Sequence, residues 1–332
     1  MNFNRFKLIL FGLLVSSCEP VDDAVKYEEK VVVFGNLKAN EGMQDTIYVS
    51  RTYMIDQAHE QEANWISDAE VYIGNRLHLF PFMPVANHPG KYTIGSEVKV
   101  RPNETYELSV KWNGHHLRSQ TVIPDTLHIQ SVQSSSYQCD GEQIPIEPIN
   151  LYLDANTKRG IQYALRTEDY SSLKMDTVTY KEGSCYTTSF ASIPMFVVKW
   201  EAESDPGMIR LVSYAMEDTS ANAIVDTTLS AHIFKGHMAK DINGDYYWPN
   251  PIVWHLSQAY LDFGWLSFNY TGVHLIEIQV ADESFRNYFK GFPIGPPQNQ
   301  YILPESNIEG GYGLFSSTHS IYFLVYVKLE EE

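Results

Sequence analysis

Short runs of alternating apolar and polar residues, separated by turn-forming residues, constrain the fold of this chain more than any other feature. The runs begin at Lys30 and are rich in β-branched and aromatic side chains. A period of two places successive side chains on opposite faces of a strand, so each run can bury one face. The region up to Val122 therefore predicts seven strands. They are Lys30–Gly35, Asp45–Thr52, Ala69–Ile73, Leu77–Phe80, Lys91–Ile94, Thr105–Trp112 and His116–Val122.

The turn residues of this region predict how the strands are joined. Asn113 and Gly114 separate the last two runs, and this pair favours a type I′ hairpin turn, in which both central residues need positive φ. Ile123-Pro124 suits an exit from the sheet, because proline cannot donate to a central ladder. We therefore predict an all-β fold whose first domain, residues 30–126, is an Ig-like or carboxypeptidase-regulatory-like β-sandwich.

The remaining residues, 127–332, predict a larger β-rich second domain with one short helix. Asp282 can cap that helix, Glu283 lies in its first turn and Gly291 can end it. Apolar and alternating runs in this region predict eight further strands. They are His128–Val132, Asn150–Asp154, Gln162–Arg166, Met195–Trp200, Met208–Tyr214, Ser230–Phe234, Val273–Val280 and Ile321–Val327.

The first residues have the pattern of an export signal. A cationic stretch with Arg5 and Lys7 precedes an apolar stretch that is too short to cross a bilayer as a finished helix. The order Val15-Ser16-Ser17-Cys18 resembles the lipobox of bacterial lipoproteins, in which the cysteine thiol receives a diacylglyceryl group with palmitate-type chains. The resemblance implies a signal peptide over residues 1–17 and a lipid anchor at Cys18. The alternatives are an ordinary secretion signal and an apolar first helix of the fold.

The residues after the cysteine, 18–29, predict an acidic tether. Glu19, Asp22 and Asp23 resemble the export signal of surface lipoproteins in the Bacteroidota, although a well-solvated spacer has the same composition. The whole chain has 24 basic and 41 acidic residues, which gives a formal net charge of −17. Such a charge repels polyanions, so nucleic acid is excluded as a partner.

Two cysteines remain after the leader, Cys139 and Cys185. In an oxidising periplasm they can form one disulfide, and that pairing is then unique. The alternative is two separate buried thiols. Their spacing is not that of a zinc site, and we predict no metal and no cofactor.

A set of short motifs follows one order along the chain. They are Lys30–Gly35, Asp68–Ile73, Gly90–Tyr92, Thr105–Leu108, Ile123-Pro124 and the glycine-rich segment Ser306–Phe315. They resemble a family of Bacteroidota outer-membrane lipoproteins catalogued as domain of unknown function 4249. The resemblance covers nearly the whole chain, but residues 139–270 match by position and general character alone.

The resemblance carries an expectation about function. Members of the family are often encoded beside TonB-dependent outer-membrane receptors, which implies an accessory role in nutrient capture or uptake. The location implied is the outer membrane, lipid-anchored, at the cell surface. The family has no established catalytic set, so no catalytic residue is carried over.

Two groups of residues are candidates for sites after the leader. Tyr246, Tyr247, Trp248 and Trp254 group aromatic rings with prolines, as a loop that stacks on a glycan or a peptide would. Core or strand-pair packing is the alternative in a chain with 22 tyrosines and 6 tryptophans.

The second group is a set of threonines that follow aspartate. Thr46, Thr126, Thr177 and Thr227 resemble the short O-glycosylation motif of Bacteroidota secreted proteins. Strand-edge threonines chosen for β propensity give the same pattern.

The sequence therefore favours a non-enzymatic accessory or binding protein on the outer membrane. A surface hydrolase of glycan or peptide, with carboxylates brought together only by the fold, is one alternative. A structural or adhesion module is the other.

Overall fold

A computed structural model describes most of the chain from residue 28 onward. The described residues are 28–43, 47–53, 64–94, 98–131, 135–153, 155–187, 193–200, 208–216, 239–240, 246–249, 253–256, 260–264, 267–268, 270–289 and 303–330. Strands dominate them, so the all-β prediction is confirmed.

All seven strands predicted in the N-terminal region are present. They are β1 (Val31–Lys38), β2 (Ile47–Arg51), β3 (Glu70–Gly74), β4 (Leu79–Pro84), β5 (Lys91–Thr93), β6 (Thr105–Trp112) and β7 (His115–Val122). They follow the order β1-β2-β5-β4-β3-β6-β7, and every neighbouring pair is antiparallel. Asn113 and Gly114, with φ of 43° and 82°, form the predicted tight turn between β6 and β7.

In the described residues, the rest of the chain contributes twelve further strands and three helices. The strands are β8 (Ile129–Ser131), β9 (Ser135–Cys139), β10 (Glu142–Ile146), β11 (Asp176–Tyr180), β12 (Phe196–Trp200), β13 (Met208–Ala215), β14 (Ala239–Lys240), β15 (Tyr246–Pro249), β16 (Val253–Leu256), β17 (Tyr260–Phe263), β18 (Gly272–Ala281) and β19 (Tyr312–Leu329). The helices are α1 (Lys158–Thr167), α2 (Ser184–Thr187) and α3 (Glu283–Phe289). Helix α3 is the predicted one, while α1 and α2 were not predicted. All three are too short to cross a bilayer.

The last strand, β19, joins the two halves of the chain. Its first part pairs in parallel with β1, from Val32 opposite Tyr312 to Lys38 opposite Thr318. Its second part pairs with β18 in antiparallel, and its end also pairs with β11. One strand of 18 residues therefore extends the N-terminal sheet into the C-terminal one.

Two hydrophobic clusters lie on either side of this junction. The first takes its buried residues from positions 31–123, together with Ile308 and Phe315. The second takes them from positions 127–327 and centres on Phe196, Phe263 and Phe323, whose rings stack or meet edge to face. The boundary near residue 126 stays a prediction, but the first cluster includes residues from the far end of the chain.

Two strand predictions were wrong. Gln162–Arg166 lies inside α1, because the Thr157 side chain accepts the Gly160 amide and caps a helix there. Asn150–Asp154 is irregular where it is described, since Tyr152 has a φ of 48° that no strand accommodates. The predicted strand Ser230–Phe234 lies outside the described residues.

Candidate functional site

The glycine-rich segment Ser306–Phe315 closes the N-terminal sheet. Glu309 exchanges two backbone hydrogen bonds with Arg118 of β7, at 2.8 and 3.1 Å. Three residues later the chain becomes β19 and pairs with β1. The segment therefore bridges β7 and β1, which are the two ends of the seven-strand order.

The glycines of this segment are required by close packing. A Cβ on Gly311 would overlap Leu117 and the Val31 carbonyl oxygen, and a Cβ on Gly313 would overlap the Val33 carbonyl oxygen. Gly313 also has a φ of 122°, which side-chain-bearing residues rarely adopt. The segment that resembles the family signature is thus a structural closure.

Asn307 holds this closure in shape. Its amide donates to the Phe315 carbonyl at 2.7 Å and accepts the Phe315 amide at 3.0 Å. The Tyr312 hydroxyl donates to the Pro304 carbonyl at 2.7 Å. These three hydrogen bonds all join residues within 304–315, so they hold the segment in its own shape.

A wide groove lies beside the closure. Its floor is the outer face of β6 and β7, where Glu107 lies opposite Gln120, and Ser109 opposite Arg118. One rim is the turn before β4, including Leu77, which is 80% exposed. The groove has a volume of about 1520 Å³ and ends at the start of α3, where the two halves of the chain meet.

The charges that line the groove are close to balanced. They are the cations Arg76, Lys111, Arg118 and Arg286, and the acidic residues Glu107, Asp125, Asp282, Glu283 and Glu309. The whole chain has 41 acidic residues against 24 basic ones, so this surface is less negative than the average. A nearly balanced set of charges suits a polar ligand of low net charge better than a polyanion.

The hairpin end of the groove carries an oriented tryptophan. Trp112 Nε1 donates to Asp68 Oδ1 at 2.8 Å, and the ring lies nearly parallel to that of His115, with centroids 6.3 Å apart. The hollow around them, of about 550 Å³, shares Lys111 and His116 with the main groove. An aromatic ring beside carboxylates offers one apolar face within a polar surface.

Asp282 marks the other end of the groove. Its Oδ1 accepts the Phe285 amide at 2.9 Å and so caps α3. Its Oδ2 lies 2.5 Å from Thr121 Oγ1, and Thr121 Oγ1 lies 2.7 Å from Ser317 Oγ. Ser317 in turn donates to the Val122 carbonyl at 3.0 Å.

The three hydrogen bonds that lead from Asp282 through Thr121 and Ser317 to the Val122 carbonyl form a row that needs three protons. The hydroxyls of Thr121 and Ser317 supply two, so a fully bonded row requires a proton on Asp282. Burial raises the pKa of Asp282 and so favours this proton, whereas hydrogen bonds that Thr121 and the Phe285 amide would donate to the ionised carboxylate lower the pKa. This carboxyl is thus committed to a cap and a buried contact, and it is not free to act as a catalytic base.

A second buried carboxyl, Glu277 on β18, lies away from the groove lining. It accepts hydrogen bonds from Tyr214 at 2.9 Å and Ser320 at 2.7 Å, and also from Gln279 and Tyr322. Four donors satisfy its oxygens, so Glu277 links β13, β18 and β19 by hydrogen bonds.

The predicted site residues differ in what the structure says of them. Cys18, Thr46 and Thr227 lie outside the described residues. Thr126 is half-buried just after the linker proline, and Thr177 is exposed on β11, so its hydroxyl is accessible. Glycosylation of these threonines stays a prediction.

The predicted aromatic group lies on strands. Tyr246, Tyr247 and Trp248 belong to β15, and Trp254 belongs to β16. Both strands pair with β13. Ligand binding by these residues stays a prediction.

Cys139 and Cys185 are placed together. Their Cα atoms are 5.9 Å apart and their sulfur atoms are bonded in the structure. The pair links the β9–β10 hairpin to α2.

No sequence pattern predicted the groove. Trp112 and His115, beside the Asn113-Gly114 turn, are the local signal of its hairpin end.

Fold and groove together define an all-β protein with a polar cleft at the meeting of its two halves. The chain belongs to the family described as domain of unknown function (DUF4249), which matches residues 19–320. No curated protein matches the sequence. Among solved structures, Escherichia coli alpha-2-macroglobulin activated by porcine elastase is 8% identical, with a TM-score of 0.16. That match covers 91% of this chain and 24% of the other, and a likeness this low carries no argument.

Proposed function

We propose that this chain is a lipid-anchored outer-membrane lipoprotein that binds a polar ligand in the groove along β6 and β7. In this proposal it is a non-enzymatic accessory protein that works with a TonB-dependent receptor in nutrient capture at the cell surface. The observation that carries the binding role is the groove itself, about 1520 Å³ in volume and located where the two halves meet. Ligand sites favour such junctions.

The lipid anchor is supported by the sequence around Cys18. A cationic and apolar leader precedes the lipobox-like residues, and the family match begins at residue 19, directly after the cysteine. Diacylation is enough for stable anchoring, at about 0.8 kcal/mol per buried CH₂.

The nature of the ligand follows from the groove lining. Balanced charges, an exposed leucine rim and the ring of Trp112 suit a glycan or a short peptide. Asp282 is engaged by Thr121 and by the α3 amide, which favours binding over acid–base catalysis.

The accessory role is tested by pull-down of the lipidated protein from gently solubilised outer membranes. We expect a TonB-dependent receptor to be recovered with the wild-type chain. Cys18→Ala should leave the protein in the aqueous fraction after membrane separation. Recovery of no receptor, or a membrane-bound Cys18→Ala variant, would contradict the corresponding part of the proposal.

The groove is tested by substitution. Arg118→Glu and Trp112→Ala should weaken binding of soluble oligosaccharides or peptides at least tenfold in calorimetric titrations. Tyr163→Ala, at an exposed position on α1, is the control that should leave binding unchanged. Equal affinity of all three variants would place the ligand elsewhere.

A further inference from the structure

Exposed aromatic side chains lie on the outer face of β1 and β2 and in the segments next to β2, with Tyr53 two residues after that strand and Trp65 opposite Ser50. Phe34, Tyr48, Tyr53 and Trp65 are 39%, 41%, 48% and 40% exposed. We name these four residues the aromatic face.

The aromatic face is held in place by the strands beneath it. Phe34 and Tyr48 are directly opposite each other in the β1–β2 register. The rings of Tyr48 and Trp65 have centroids 6.2 Å apart, and Trp65 bridges to Ser50. Gly90 makes room for the indole, since a Cβ there would overlap it. These rings are therefore oriented at the surface by the fold.

The N-terminal tether leaves the fold next to this face. The Lys30 amide donates to Thr52 Oγ1 at 2.9 Å, the Thr52 amide donates to the Lys30 carbonyl at 2.9 Å, and Glu29 pairs with Arg51 at 3.2 Å. Thr52 directly precedes Tyr53. Ten residues separate Glu28 from the end of the leader, and a fully extended segment of that length spans at most about 35 Å.

We propose that the aromatic face docks on the zwitterionic lipid surface of the membrane in which Cys18 is anchored. The proposal rests on the lipid anchoring proposed above. Tyrosine and tryptophan suit the membrane–water interface because their rings are apolar and their tips are polar. The net charge of −17 disfavours anionic headgroups, so the partner surface is zwitterionic.

A weak intrinsic affinity is sufficient for this docking. A tether of about ten residues gives an effective concentration in the millimolar range, about 1 mM. A face that binds lipid with a dissociation constant of that order is then docked about half of the time. Without the tether the same face would not hold the protein on the membrane.

Docking on this face leaves the groove accessible. None of its four residues lines the groove or the hollow around Trp112. The chain can therefore lie on the membrane by one set of strands and present another set to a ligand.

The experiment supplies the anchor chemically. The mature chain from Cys18 is coupled through this thiol to maleimide lipid in phosphatidylcholine vesicles, with Cys139 and Cys185 already paired. Brominated phosphatidylcholine then quenches the tryptophans that touch lipid, and the difference from a Trp65→Phe chain isolates Trp65. We expect at least twofold quenching of Trp65 in the coupled protein and none in the uncoupled one.

A pair of double variants provides the specificity control. Tyr48→Ser with Tyr53→Ser keeps Trp65 as the reporter and should lose most of its quenching. Tyr163→Ser with Tyr326→Ser removes two tyrosines that are also exposed, 58% and 42%, and should keep it. Circular dichroism and the melting temperature confirm that both variants are folded.

Two results would overturn the proposal: an unquenched Trp65 in the coupled wild type, and equal quenching in both double variants. Occupation of the face by a protein partner would give the first result. Chemical coupling makes the outcome independent of cellular lipidation, so failure of the anchor proposal in cells is seen separately in the fractionation of Cys18→Ala.

Discussion

At the scale of single residues, the proton count around Asp282 gives a test of its state. Asp282→Asn keeps an oxygen for the α3 amide and gains an N–H that can donate to Thr121. We expect this variant to unfold at equal or higher urea concentration than the wild type at pH 7. Asp282→Ala removes the cap and one of the two side-chain contacts of Thr121, which should cost about 1–3 kcal/mol.

The pH dependence of this effect has a defined sign. Because burial raises the pKa of Asp282 above the ordinary 3.8, the folded state binds a proton that the unfolded state releases. The wild type should therefore gain stability relative to Asp282→Asn as the pH falls from 7 towards 4. Asp169→Asn should show the opposite trend once the pH falls below about 4, since hydrogen bonds from Ser171 lower the pKa of Asp169. A constant difference in unfolding free energy between wild type and Asp282→Asn from pH 7 to pH 4 would contradict a protonated Asp282.

His274 on β18 gives a second prediction at the residue scale. It is fully buried, Nδ1 donates to the Gly272 carbonyl at 3.1 Å, Nε2 has no partner in the described structure, and burial lowers its pKa to about 4. In the unfolded chain His274 binds a proton as the pH falls below about 6.5, whereas in the folded chain it stays neutral down to about pH 4. Stability should be full above pH 7 and fall by about 3 kcal/mol between pH 6.5 and 4.

His274→Leu should remove this loss, as measured by urea unfolding at pH 7, 6, 5 and 4. His88→Leu, at an exposed position, is the control and should retain it. An unchanged pH profile in His274→Leu would show that another group is responsible.

At the scale of elements, the closing segment determines how β1 and β7 are connected. Gly313→Ala would place a methyl group on the Val33 carbonyl and also strain a φ of 122°. We expect a loss of more than about 3 kcal/mol, or no folded protein, because neither β1 nor β19 can move without breaking their register.

Gly141 is a matched control in the β9–β10 turn. It has a φ of 87° but nothing within 4 Å of an added Cβ, so Gly141→Ala pays only the backbone strain of about 1–2 kcal/mol. Thermal unfolding of the two variants compares packing with strain directly. Similar melting temperatures would mean that the closing segment is looser than its contacts imply.

At the scale of the whole molecule, β19 makes the N-terminal sheet depend on the C-terminus. A fragment of residues 28–127 lacks the parallel partner of β1, the bridge to β7 and the buried Ile308 and Phe315. We expect this fragment alone to show no cooperative unfolding transition. A synthetic peptide of residues 303–320 should restore one, whereas a scrambled peptide should not. Cooperative unfolding of the fragment by itself would contradict this dependence.

The sequence by itself determined the local structure of this protein. Alternation between Lys30 and Val122 predicted all seven N-terminal strands, and Asn113-Gly114 predicted the β6–β7 turn, because period and turn chemistry act over neighbouring residues. Asp282 and Glu283 predicted α3 for the same reason. The exceptions were also local: the Thr157 cap and the positive φ of Tyr152 override an apparently strand-like pattern.

Tertiary structure alone decided how distant segments meet. The pairing of β1 with β19, the row from Asp282 through Thr121 to Ser317, and the groove each join residues far apart in the chain. No local pattern encodes such pairings, since they depend on which buried faces and backbone edges remain available after the strands have formed. For this reason the sequence predicted the strands and predicts an anchor at Cys18, whereas the groove and the aromatic face became visible only in the folded chain.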